Sequence, residues 1–142
     1  MKQIATLGPL GKLPGGGTWA SVATIPLAYI IVSGGMPYLV CVAALTIVSI
    51  IIIRAVLPLF SSADPREIVL DEVIGCLWVL YMTHWNWFYC LVYVALFRFF
   101  DITKILGIRL FERLPSVWGI LADDCVAALC ARALAVVYWL FV

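Results

Sequence analysis

Charge is what this sequence has least of. Of its 142 residues 12% are Asp, Glu, Lys or Arg, 65% are hydrophobic, and the mean hydropathy is +1.14. An ordinary soluble domain carries about 25% charged and about 45–50% apolar residues. A water-exposed globule, a disordered chain and a coiled coil are therefore excluded. Histidine is nearly absent: the single His84 falls in a turn expected on the far side from the acidic residues, so no Ser-His-Asp or Cys-His arrangement is available. The five cysteines, Cys41, Cys76, Cys90, Cys125 and Cys130, include no CxxC pair and no histidine at zinc spacing, and they read as buried structural thiols. A net charge of +1 provides no basic field, so nucleic acid is not an expected partner. A phosphate-loop signature fails as well, because Gly11-Lys12 is followed by Leu13 where a hydroxyl residue is required. The first long apolar run starts only near Thr18 and several more follow, unlike a cleavable signal peptide.

Apolar runs make up most of the remainder. A membrane-spanning helix takes about 20 apolar residues, and the chain accommodates about five. The expected fold is a single all-α domain over residues 1–142, a polytopic membrane helical bundle of about five spans plus a short amphipathic interfacial helix. Residues 1–17 form a Gly/Pro-rich cytoplasmic approach segment. Spans follow at about residues 18–33, 37–57, 67–82, 85–99 and 117–142, with turn signals at Gly34-Gly35-Met36-Pro37 and Asp64-Pro65. Thr83-His84-Trp85-Asn86-Trp87 reads as an interfacial aromatic belt. Between the last two spans, Asp101–Leu114 alternates apolar and charged residues at helical spacing, the pattern of a helix lying on the membrane surface.

Basic residues give the orientation. Lys2 and Lys12 precede the first span, Arg54 and Arg66 flank the loop after the second, and Arg98, Lys104, Arg109 and Arg113 surround the loop after the fourth. The other two turns contain no Lys or Arg, which predicts a cytoplasmic N-terminus. Arg132 stands alone deep in the last span, with three options open: pairing with a carboxylate, snorkelling, or facing a polar cavity.

Every carboxylate falls on the predicted cytoplasmic side: Asp64, Glu67, Asp71, Glu72, Asp101, Glu112, Asp123 and Asp124. With a rise of about 1.5 Å per residue, Asp71, Glu72, Asp101, Asp123 and Asp124 occupy a similar depth near the inner ends of three helices. An ionised carboxylate in a bilayer costs about 2.5–3.5 kcal/mol even on the lenient scale. Such a cluster persists only with compensating cations. Arg98, Lys104 and Arg109 supply some, and oxygen clusters of this kind also suit Mg²⁺. Taken singly, each acidic pair reads as an interfacial salt bridge; three at matched depth favour a hard-cation site between helices. Gly15-Gly16-Gly17-Thr18 leads directly into a helix. It reads equally as a flexible approach loop or as a phosphate cradle, with Thr18 as N-cap and the N–H groups of Gly16 and Gly17 as donors.

Three stretches, in order, resemble the phosphatidylglycerophosphatase A family: Leu13-Pro14-Gly15-Gly16-Gly17-Thr18-Trp19-Ala20-Ser21, Glu67-Ile68-Val69-Leu70-Asp71-Glu72-Val73-Ile74-Gly75, and Phe97-Arg98-Phe99-Phe100-Asp101-Ile102-Thr103-Lys104 continuing to Gly119-Ile120-Leu121-Ala122-Asp123-Asp124. The resemblance implies a Mg²⁺-dependent phosphatase of the bacterial cytoplasmic (inner) membrane. Its substrate would be the lipid phosphatidylglycerophosphate, met within the membrane, and the site would face the cytoplasm. The family pattern has Lys-Pro-x-Pro-Ile where this chain has Lys104-Ile105-Leu106-Gly107-Ile108. On this reading Asp71, Glu72, Asp123 and Asp124 hold metal, and Asp101 is a ligand or orients water. Lys104, Arg98, Arg109, Thr18, Gly16 and Gly17 bind the phosphate. Water attack is expected over a phospho-aspartate intermediate, and self-association is left open. The alternative is a divalent-cation or proton transporter using the same carboxylates.

Overall fold

The computed structural model describes residues 1–62, 65–81 and 85–141. Asp64 and His84 lie outside the described residues, and with them most of the expected third turn. The described elements are all helical: α1 (Lys2–Ala5), a 3-10 turn (Leu10–Lys12), α2 (Gly16–Ser33), α3 (Tyr38–Val56) with a 3-10 extension (Leu57–Leu59), α4 (Leu70–Val79), α5 (Trp87–Thr103), a 3-10 helix (Ile108–Arg113) and α6 (Val117–Phe141). Two described helices are long and apolar enough to cross a membrane, Gly16–Ser33 and Tyr38–Leu59. The second exposes Leu39, Val40, Ile47, Val48 and Ile51, an apolar outer face that suits hydrocarbon rather than water.

Helix α4 is the centre of the bundle, and it is shorter than the sequence predicts. Ten residues rise about 15 Å, too little to cross a bilayer core of about 30 Å. Its start is held back by its approach. The Val69 N–H donates to the Ala5 carbonyl at 3.0 Å and the Ile68 N–H to that of Pro65 at 2.9 Å, so these residues are pinned outside the helix. Buried carbonyls at its far end find donors in place of solvent. The Tyr38 hydroxyl donates to Leu77 O at 2.8 Å, and Arg132 Nη1 approaches Val79 O at 3.5 Å. Arg132 also lies over the Tyr93 ring, 5.4 Å from its centroid. Its charge is thus spent on a helix C-terminus, where the dipole favours a cation, and on an aromatic face.

Three further expectations are corrected. The approach segment is folded: α1 and the first 3-10 turn pack on the bundle, with Ala5 and Gly11 buried. Thr18 is no N-cap, because Gly15 takes the left-handed conformation (φ 71°) and α2 begins at Gly16, ahead of it. The surface helix expected over Asp101–Leu114 does not form as one α-helix. Instead α5 runs on to Thr103, and a 3-10 helix follows. The break is at Leu106 (φ 57°) and Gly107 (φ 80°). Proline, fixed near −65°, cannot adopt the Gly107 backbone, so the loss of the family's proline there goes with a different local path.

The two ends of the bundle differ chemically. At one end the first turn of α2, the start of α4, the end of α5 and the start of α6 converge. At the other, Tyr29 of α2 contacts Trp85 and Trp87, with centroids 6.1 and 6.5 Å away, and Tyr38 stacks on Tyr81. Asn86 caps α5 there, accepting the Phe88 N–H at 2.9 Å. Trp85 and Trp87, the described aromatic residues of the expected belt, thus join an aromatic cluster at this end.

Candidate active site

At the first end the apolar packing opens into a polar cavity of about 640 Å³. Its wall takes Asp71 and Glu72 from α4, Arg98 and Asp101 from α5, Lys104 from the cap of α5, Asp123 and Asp124 from α6, and the glycine turn before α2. Helical periodicity brings these groups together. Asp71 and Glu72 fall in the first turn of α4, Arg98 and Asp101 lie one turn apart on α5, and the α6 pair begins its third turn.

The acids form two triplets that share one residue. Ligand oxygens of Asp71, Glu72 and Asp124 lie within 4.8 Å of one another, and so do those of Asp101, Asp123 and Asp124. Arg98 bridges the triplets, contacting Glu72 at 3.5 Å and making a short ion pair with Asp101. Lys104 Nζ donates to Asp123 at 2.6 Å. Lys104 adopts φ 48° to close α5, a conformation that costs an L-residue about 1–2 kcal/mol and that glycine ordinarily fills. The strained backbone thus carries a lysine directed at a buried aspartate.

Charge is unbalanced in this cavity. Six carboxylates and four cations line it, an excess of two negative charges. Oxygens of Asp71, Glu72, Asp123 and Asp124 are buried with no hydrogen-bond partner among the described residues. Unpaired buried carboxylate oxygens are costly, and an all-oxygen donor set is the one hard divalent cations take. The residues therefore fit such a cation.

Packing at two glycines sets the spacing. A Cβ on Gly17 would collide with Glu72 Oε1 and lie 2.9 Å from Arg98 Nη2. A Cβ on Gly75 would lie 2.7 Å from Phe97 Cε2 and Cζ and 3.3 Å from Asp124 Cβ. Phe97 is fully buried and has nowhere to move. Gly75→Ala is therefore expected to cost about 1–3 kcal/mol of stability, read as a lowered Tm in detergent, with phosphatase activity falling alongside. An unchanged Tm would mean that α4 and α5 have room the structure does not show.

Of the predicted site residues, Asp71, Glu72, Asp101, Asp123, Asp124, Arg98, Lys104, Gly16 and Gly17 line the cavity, whereas Thr18 and Arg109 are exposed and do not. The Gly16 N–H is already donated to Leu13 O at 3.0 Å, so it is no anion donor. Sequence reasoning missed Lys12, Arg66 and Glu67 as wall residues. Their position beside the glycine turn and α4, on the side already marked as cytoplasmic, was the available signal.

Carboxylates from three helices, bridged by an arginine and a lysine, form a polyacidic centre in an otherwise apolar helical protein. Residues 3–139 match the family model described as phosphatidylglycerophosphatase A. The chain is 33% identical to phosphatidylglycerophosphatase A of Haemophilus influenzae, over 99% of its own length and 96% of that protein's. It therefore belongs to the phosphatidylglycerophosphatase A family, and it is a phosphatase acting on a phosphate monoester. It is also similar to a putative phosphatidylinositol-3-phosphatase of Bacteroides thetaiotaomicron, 38% identical over 45% of this chain and 42% of that one. No solved structure matches it.

Proposed function

We propose that this phosphatase removes the terminal phosphate of phosphatidylglycerophosphate, yielding phosphatidylglycerol and inorganic phosphate, with Mg²⁺ held by the two carboxylate triplets. The observation that carries this reading is the pair of triplets joined at Asp124, with orphaned oxygens and an uncompensated negative charge. Asp71, Glu72 and Asp124 are one ligand set, and Asp101, Asp123 and Asp124 the other. Bound there, the metal supplies charge neutralisation at the phosphate and a water acidic enough to act near neutral pH.

The chain's own residues do the rest. Arg98, partly buried between Glu72 and Asp101, offers a guanidinium fork to two phosphate oxygens, and Lys104 a point charge to a third. Asp101 orients the water opposite the leaving oxygen. Attack forms the new P–O bond as the bond to the headgroup glycerol breaks; a proton of the attacking water passes to Asp101, and solvent protonates the departing oxygen, which leaves as a hydroxyl. Direct water attack needs no aspartate singled out as nucleophile, and the five acids here form one network.

The setting we propose is the cytoplasmic leaflet of a bacterial inner membrane. The chain would cross five times with its N-terminus inside and the aromatic end outside, α4 making only part of the third crossing. A transport path has no support. Beyond the acids the bundle is closed by buried Ile74, Leu77, Leu80, Phe97 and Ala131.

Purified protein with phosphatidylglycerophosphate in mixed micelles tests the reading. Phosphate release is expected to fall at least about 10²-fold in chelator, the scale of an electrostatic contribution to catalysis, and to return with added Mg²⁺. Full activity in chelator, or release from other monoesters but none from this lipid, would overturn it.

A further inference from the structure

A second cavity of about 430 Å³ adjoins the first, and Lys12 and Glu67 belong to both walls. Its remaining lining includes Lys2, Gln3 and Phe60. The ammonium of Lys2 lies 4.2 Å from the centre of the Phe60 ring, a cation–π contact that fixes its position while leaving its charge in place. Neither Lys2 nor Lys12 forms an ion pair with a described residue. This contrasts with Arg98 and Lys104 of the inner cavity, which are held by acids. Two lysines against Glu67 leave a single net positive charge, whereas the inner cavity carries a net negative one.

The second cavity borders the apolar surface of α3, through Phe60. Phe60 follows directly on the extension of α3, the helix with the most exposed apolar face, and Leu59 beside it is 64% exposed. A lipid lying against α3 in the proposed setting would meet this lysine-bearing chamber beside the acids.

We infer that the second cavity binds the diester phosphate of the same lipid whose terminal monoester enters the acidic cavity, with Lys2 and Lys12 as specificity-determining residues. This rests on the substrate reading above. A phosphodiester carries one negative charge, matching the chamber's net charge, and one glycerol joins it to the monoester. Lys12, on the shared wall, faces that junction. The pair of chambers thereby selects a lipid bearing two phosphates over a lipid or soluble ester bearing one. Binding energy is gained at a group that does not react, so it governs KM rather than the chemical step.

The Lys2→Gln/Lys12→Gln double variant tests this on the full chain in mixed micelles with Mg²⁺. The KM for phosphatidylglycerophosphate is expected to rise about tenfold with kcat within about twofold, the signature of lost uniform binding. Direct binding of phosphatidylglycerol, which has only the diester, should weaken by a similar factor. In the Lys2→Gln single variant, whose lysine lines the second cavity and not the acidic one, inhibition by inorganic phosphate should not change. The Lys2→Arg/Lys12→Arg variant should retain the wild-type KM, which separates charge from folding. An unchanged KM, a loss confined to kcat, or equal weakening of phosphatidylglycerol and inorganic phosphate would overturn the assignment. Should the wild type bind phosphatidylglycerol through these lysines yet release no phosphate from phosphatidylglycerophosphate, the substrate reading fails and the lysine site stands.

Discussion

Asp124→Asn is expected to lower phosphate release by about 10³-fold or more, equivalent to ~4 kcal/mol of transition-state stabilisation. Among the five acids it is the one whose oxygens belong to both triplets, so one substitution removes a donor from each. An amide keeps the size and one oxygen but loses the charge. Stability should move the other way. Asp124 is 3% exposed, is packed among four other carboxylates, and has an oxygen with no partner among the described residues. In chelator the variant should therefore melt at or above the wild-type temperature, because a buried like-charge repulsion has been relieved. With Mg²⁺ present, the wild type should gain stability by mass action and the variant should gain much less. Calorimetry or a thermal shift in detergent, run beside the phosphate assay, reads both. A variant that keeps its turnover, or one that simply unfolds in both conditions, would contradict the assignment of Asp124 as the shared ligand.

Gly17→Ala is the second large effect, about 10²-fold in kcat, the scale of an ångström of misplacement in a catalytic group. The atoms in the way of a methyl group are the tips of Glu72 and Arg98, which can withdraw, so the fold should survive. Alanine also favours a helix over glycine by about 1 kcal/mol, which offsets local crowding. The Tm is expected to stay within a few degrees while Glu72 leaves its triplet and the 3.5 Å contact to Arg98 breaks. Retained kcat would show that the position of Glu72 is not needed. Gly75→Ala provides the contrast, since there the obstacle is a buried ring and stability falls first.

The contrast between Gly17 and Thr18 shows what the sequence could and could not tell. The carboxylates stood out because each was costly in an apolar background, and their distances from helix ends fixed a common depth. All five line the cavity, with Arg98 and Lys104 beside them. Gly17 was identified for its N–H, whereas its clearest structural role lies in the absent side chain, which only the approach of α4 and α5 reveals. Thr18 failed as a cap because Gly15 takes up the left-handed turn and starts the helix early. Arg109 was included as a cation close in sequence to the acids, and the backbone break at Leu106 and Gly107 separates it from them. The length of α4 was hidden because Ile68, Val69 and Leu80 are as apolar as the helix itself. A tertiary backbone hydrogen bond to Ala5, which leaves no periodic trace, decides where the helix begins.

Helix α3 contributes no residue to the acidic cavity; its inward side buries Val42, Ser49, Ile53 and Val56 and bonds to α4 through Tyr38 and Thr46. Chemistry and solvent contact are thus assigned to separate parts of the chain. The outward surface of α3 can drift with the fatty-acid composition of its host, or be redressed with polar side chains in an engineered water-compatible version, without disturbing the catalytic end.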